Sequence, residues 1–150
     1  MKIVGIIIIV LLAIGAAGFF FLALKSKSGT APGLVNGTLA PCPASPNCVS
    51  SEPGTPTSHF VTPLPISAWE KLPDAIGKAG GVIVKLEETY LAAEFSTPMM
   101  GYVDDVEFRN ADNQVHVRSA SRVGRSDFGA NRKRVENLRS IVTDFDEAES

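Results

Sequence analysis

Apolar residues fill positions 3–24 without a break, IVGIIIIVLLAIGAAGFFFLAL, and no charged or strongly polar side chain interrupts them. As a helix, 22 residues span roughly 33 Å, enough to cross a hydrocarbon core of about 30 Å. Lys2 and Lys25 flank the run and Lys27 follows. The run outlasts the apolar core of a secretory signal, about 7–15 residues, and no A-x-A-like site closes it, so a retained anchor is predicted over a cleaved signal. A lipoprotein signal fits less well. Cys42 lies far beyond the apolar run, and Pro41 precedes it.

After the anchor, assigned to residues 1–25, the pattern changes twice. Residues 26–38 are small, polar and turn-prone and read as a linker. Residues 39–65 are rich in Pro and Ser, which argues against regular helix or a central strand, since each proline removes a backbone donor. Leu39, Val49, Phe60 and Val61 can still pin this stretch to a core.

Periodic structure begins at Ser67. Ser67-x-x-Glu70 has the form of a capping box, and Trp69, Leu72 and Ile76 share one helical face. Pro73 is expected to kink or split this helix, and Gly80-Gly81 to end it. Strands are predicted at 82–84, 90–95, 102–109 and 114–121, with Asn110 to Asn113 as the last turn. A final helix over about 128–144 carries Val135, Leu138, Ile141, Val142 and Phe145 as its apolar stripe. The expected fold is α+β: one antiparallel sheet of about four strands, two helices on one face, and a transmembrane helix in front. The domain is assigned to 39–145, with an acidic tail at 146–150.

Pairing Asn110 with Asn113 sets Phe108 opposite Val115 and Val106 opposite Val117, a consistent apolar face. On the other face Glu107 meets His116, read as an exposed strand residue, and Asp105 meets Arg118. Asp104 falls on the apolar face opposite Ser119 and needs a cationic partner, Arg122 or an arginine of the last helix.

Charge sharpens this picture. The formal net charge is −2, and the part beyond Lys25 carries 12 basic against 16 acidic residues, which excludes nucleic acid as a partner. Basic residues nevertheless gather between Arg109 and Arg139, where eight of them face only Asp112, Asp127 and Glu136. Ser126 or Asp127 can cap the last helix. Arg132 and Arg134 in its first turns oppose the helix dipole and call for an anion. That anion is either Asp104, Asp105 or Asp127, making a structural clamp, or a bound phosphate, carboxylate or sulfate. The candidate ligand-binding set is Asp104, Asp105, Arg118, Ser119, Ser121, Arg122, Asp127, Asn131, Arg132 and Arg134. No phosphate-loop or dinucleotide fingerprint is present, and no cofactor is expected. Nor is a metal: Asp104, Asp105 and Glu107 alternate across a strand and cannot converge. Ser50 or Ser51 with His59 or His116 supplies the ingredients of a hydrolase triad, but no nucleophile elbow surrounds either serine.

Cys42 and Cys48 are the only cysteines. A disulfide in an oxidising compartment is their simplest use; two free thiols are the alternative. Lysines lie on both sides of the anchor, so the positive-inside comparison is nearly balanced. The short N-terminal tail and the cysteine pair favour a single-pass protein of the inner (cell) membrane, with its C-terminal domain periplasmic.

Three stretches, CPASPNCVSS, GYVDDVEF and RSASRVGRSDFGANRKRVENLR, resemble in this order the uncharacterised domain family DUF1499. The resemblance covers about residues 39–142. It implies small bacterial and plastid proteins, often with a signal or anchor, and supplies no catalytic residues. The function expected is a non-catalytic binding or structural module of the envelope, engaging an envelope protein or a small anionic ligand. A hydrolase-like enzyme, or a ligand binder built on the Asp/Arg cluster, is the alternative.

Overall fold

A computed structural model describes residues 2–98 and 101–148. Met99 and Met100 of the loop after the second predicted strand, and Glu149 and Ser150 of the predicted tail, lie outside the described residues. The chain opens with helix α1 (Lys2–Lys27). From Ile3 to Leu22 its side chains are apolar all round and exposed, while Ala23 and Ser26 near its end are buried. By length and composition the helix can cross a membrane.

The remaining elements follow in the order β1 (Leu34–Val35), β2 (Thr38–Leu39), β3 (Cys48–Ser50), β4 (Leu64–Pro65), α2 (Ala68–Lys78), β5 (Val82–Leu86), β6 (Tyr90–Ser96), β7 (Val103–Ala111), β8 (Gln114–Ser121) and α3 (Ala130–Ala148). β1 and β2 form a hairpin of their own. The main sheet has six strands, not about four. Its order is β3-β8-β7-β6-β5, and β4 also pairs with β8. The two extra strands come from the Pro/Ser-rich stretch. Proline bars a central strand, but β3 and β4 need pair only on their β8 side, and Pro65 sits opposite Gln114 at the end of β8. All strand pairs are antiparallel; one parallel bridge joins Ser50 to Phe60.

The turn between β7 and β8 corrects the expected pairing. Asp112 and Asn113, both at φ +57°, make a two-residue loop with two left-handed positions, the pattern of a type I′ turn. Asp and Asn tolerate that region better than other side chains. The turn lies one residue further along the chain than expected, with Ala111 facing Gln114 in place of Asn110 facing Asn113, and this moves every partner by two. Phe108 now faces Val117, Val106 faces Ser119, and Glu107 faces Arg118. An even shift preserves which face each side chain occupies and changes only its partners. The apolar alternation survives, while the charge pairs differ from those predicted.

The helices depart from expectation at their starts. Ser67 already has helical angles, and its side chain makes no capping bond. Pro73 lies inside α2 without splitting it. The C-terminus is as predicted: Gly80 adopts φ +82°, its N–H reaches the Gly77 carbonyl at 3.0 Å, and the Gly81 N–H reaches Ile76 at 2.8 Å. That is a Schellman closure. A Cβ on Gly81 would stand 2.5 Å from the Phe95 ring, so the helix end is packed against β6. α3 starts at Ala130 because Phe128 (φ +53°) and Gly129 (φ +79°) are both left-handed. It continues to Ala148, and Asp146, expected in the tail, pairs with Lys71 of α2 at 2.6 Å.

The main core joins Leu72, Ala75 and Ile76 of α2 with Val135, Leu138, Ile141 and Val142 of α3. Leu91, Phe95, Val106, Phe108, Val115 and Val117 from alternate sheet positions complete it. The intervening positions of β7, Asp105, Glu107 and Arg109, are buried as well. Their cover includes the segment predicted as a linker. The Gly33 N–H donates to Glu107 Oε1 at 2.8 Å, and Ala31 packs on Leu39, Tyr90 and Ala92.

Cys42 and Cys48 are bonded, tying the Pro/Ser-rich stretch to the start of β3. A closed loop this short should contribute about 2–3 kcal/mol. Mass spectrometry of the unreduced protein should find no alkylatable thiol, and reduction should lower the urea midpoint accordingly.

Candidate functional site

The predicted polar cluster divides into two networks, one on each side of the sheet. On the α3 side, Asp104 points toward the helix and accepts from the Arg134 guanidinium at 2.7 Å. Arg134 also donates to Asn131 Oδ1 (2.7 Å) and Ser119 Oγ (3.1 Å), with its guanidinium over the Phe95 ring. Ser119 donates to Asn131 Oδ1 at 2.6 Å. The Asn131 amide donates to the Asn47 carbonyl, to Ser121 Oγ and to Asp127 Oδ2. Asp127 in turn accepts the Gly129 and Asn131 N–H groups, 3.0 and 2.8 Å away, and so caps α3. Burial alone would raise the Asp127 carboxyl, but these donors together hold it below its ordinary value. Asn131 is fully buried with its amide donors and acceptor engaged, as a buried polar group requires.

The opposite side of the sheet carries three arginines, each paired with a carboxylate. Arg122 forks onto Asp105 (Nε to Oδ2 2.9 Å, Nη2 to Oδ1 2.6 Å), reaches Glu94, and donates to the Ser26 carbonyl at 2.9 Å. The Asp105 bonds, with help from Glu94 and against burial, push the Arg122 pKa up. Arg118 pairs with Glu107 at 2.9 Å, and Glu107 also accepts from the Tyr90 hydroxyl at 2.8 Å. Burial first, then this bond to Glu107, raises the Tyr90 phenol. Arg109 grips both Glu52 oxygens at 2.8 Å. Burial works to raise the Glu52 carboxyl, yet Arg109 and the Leu39 N–H outweigh it and leave it lowered. Arg118 Nε is the one buried side-chain nitrogen or oxygen without a partner among the described residues.

Of the ten predicted site residues, nine fall in these networks, although not in one place. Asp104, Ser119, Ser121, Asp127, Asn131 and Arg134 meet on the α3 side; Asp105, Arg118 and Arg122 lie across the sheet. Arg132 is elsewhere: its guanidinium donates to the Phe60 and Ser58 carbonyls, not to Asp127. Asp105 pairs with Arg122 rather than Arg118, which follows from the shifted register. His116 is buried, not exposed, and sits beside the Ser51 carbonyl at 3.2 Å, away from Glu107. Sequence reasoning missed Asn47, Glu52, Tyr90, Glu94 and the Ser26 carbonyl. Only the long-range fold brings Glu52 to Arg109 or Ser26 to Arg122. Asn47, set between Pro46 and Cys48, offered a weak turn signal at best.

The hydrolase ingredients do not assemble into a nucleophile and base. Ser51 Oγ accepts from the Val117 N–H at 2.8 Å, Ser50 Oγ accepts from the Glu52 N–H, and His59 Nδ1 lies on the Cys48 carbonyl. A cleft of about 530 Å³ opens between the Pro-rich loop and the β7–β8 turn, lined by Leu39, Pro53, Pro56, Arg109 and Asp112 among others. Its basic side chain, Arg109, is already held by Glu52.

These features define a small α+β domain with a disulfide-tied loop and ion pairs on both faces of its sheet, attached to an apolar helix. Residues 38–142 match the family described as "Protein of unknown function (DUF1499)", and the chain belongs to that family. No curated protein and no solved structure matches it.

Removing Asp104 strands a mostly buried Arg134, so Asp104→Ala should destabilise by about 3–5 kcal/mol. Arg125→Ala, at an exposed position outside both networks, should change stability by less than about 0.5 kcal/mol. Urea melts compare the two, and an unchanged midpoint for Asp104→Ala would contradict the clamp.

Acid should act through Glu52 and Asp127. Both are lowered in the fold, so their stabilisation is complete above their ordinary values of 4.5 and 3.8 and is lost as pH falls through the lower folded values. The urea midpoint should decline on acidification below about pH 4.5. Glu52→Gln should lower it at neutral pH and flatten part of that decline.

Proposed function

We propose that this chain is a single-pass protein of the inner (cell) membrane, with its domain held on the extracytoplasmic side as a non-catalytic binding or structural module of the envelope. One observation carries the reading: the end of the apolar helix is built into the domain. Ser26 is fully buried; its carbonyl accepts from Arg122, and its hydroxyl accepts from the Val103 N–H at 3.2 Å. A domain on a loose tether needs no such joint. A domain that must keep one attitude to the membrane does.

Two further observations support parts of the proposal. The Cys42–Cys48 bond suits an oxidising compartment, which favours the extracytoplasmic side. Arg118, Arg122 and Arg134 are each occupied by an internal carboxylate, so an anionic ligand at the cluster would have to displace an ion pair. This favours the clamp reading of the cluster over a small anionic ligand, and an envelope protein as the partner.

Topology decides the proposal. With a reporter enzyme that matures only in an oxidising compartment fused after Ser150, activity should appear, and the fusion should stay in the membrane fraction at alkaline pH. An inactive reporter, or release by alkali, would refute the assignment.

A further inference from the structure

Phe128 is 93% exposed and sits at φ +53°. Both facts oppose folding, since a large apolar side chain faces water from a backbone region that bulky residues avoid. The neighbouring Gly129 shows what residue the turn itself prefers. The loop that presents Phe128 is nevertheless braced. The Phe128 N–H donates to Ser126 Oγ, and the Asp127 carboxylate accepts the Gly129 and Asn131 N–H groups.

The position of this loop supplies the reason. Phe128, Val123 and Tyr102 share an apolar cavity of about 370 Å³ with Phe19 and Leu22 of α1. The Tyr102 hydroxyl donates to the Phe19 carbonyl at 3.3 Å, which fixes the depth of the contact. Counting from Ile3 at 1.5 Å per residue, Leu22 lies near the far edge of a 30 Å hydrocarbon core, and Phe19 is roughly 5 Å inside it. Domain residues beside Phe19 and Leu22 are therefore level with the boundary between acyl chains and headgroups. Arg125, exposed between Gly124 and Ser126 of the same cavity rim, supplies a cation of the kind that meets lipid phosphates.

We infer that the loop carrying Val123, Arg125 and Phe128 is a second membrane contact, with Phe128 inserted into the leaflet around α1 and acyl chains filling the cavity beside Phe19. This rests on the reading of α1 as a membrane span. The leaflet is the occupant because the patch is continuous with the surface of that span. The anchor joint at Ser26 and the Phe128 loop then hold the domain at two points, which fixes its tilt over the bilayer.

Tryptophan fluorescence of the full chain in phospholipid nanodiscs tests this. The single native Trp69 packs against the protein core and supplies a constant background. Phe128→Trp alters an exposed side chain, and its difference emission should be blue-shifted and lost when the lipids carry brominated acyl chains. Leu12→Trp, near the middle of α1, is the reference and should be quenched by deep bromines. A quenched Leu12→Trp with an unquenched, water-like Phe128→Trp would overturn the second contact alone, leaving this face to a protein partner. An unquenched Leu12→Trp would overturn the membrane span and the inference together.

Discussion

A carboxylate taken out of water without a partner costs several kcal/mol, and this domain buries Glu52, Asp104, Asp105 and Glu107. Each is answered by an arginine: Arg109, Arg134, Arg122 and Arg118 respectively. Much of the architecture follows from that pairing. The side of the sheet away from the main core is charged, and the small apolar cluster of Leu39, Tyr90 and Ala92 covers only part of it. The rest is closed by backbone donors from segments with little regular structure, such as the Gly33 and Leu39 N–H groups. Pro- and Gly-rich sequence is suited to that task, because it can follow the side chains it must reach without competing to form helix or strand.

The same pairing joins the apolar helix α1 to the domain. Arg122 bridges two strands through Asp105 and Glu94 and ends on the last turn of α1. Glycine at position 29 leaves room for this side chain, since a Cβ there would stand 2.9 Å from Arg122 Cδ. Residues from Ser26 onward therefore belong to the folded unit. Alkyl stem, guanidinium and helix end form one joint, which also sets how deep the Tyr102 and Phe128 loops lie against α1.

Much of the fold was legible because it rests on local rules. The apolar run, the Gly80-Gly81 stop, the four longer strands and the stripe of α3 each follow from side-chain periodicity or backbone freedom over a few residues. The candidate cluster was also visible as composition: RSASRVGRSDFGANRKR could not fold into a net-acidic domain without partners. Its wiring was not visible. A two-residue turn set one residue further along left every side chain on its expected face and changed every partner. Arg132 illustrates the limit. It lies in the right turn of the right helix, yet helical geometry aims it at the Phe60 carbonyl, away from Asp127.

The sequence by itself determined the four longer strands, the two helices of the domain, the apolar helix, the disulfide candidates and the family. Each of these depends on residue type at short spacing, where one side chain constrains the next. Only the tertiary structure decided that Asp105 belongs to Arg122 and Glu52 to Arg109, that Ser26 is part of the domain, and that Phe128 shares a cavity with Phe19 and Leu22 of α1. The hydrogen bonds among these contacts join residues up to 96 apart in the chain. Coulombic attraction between such groups carries no local signature, because any arginine can satisfy any carboxylate until the backbone fixes which pair can meet.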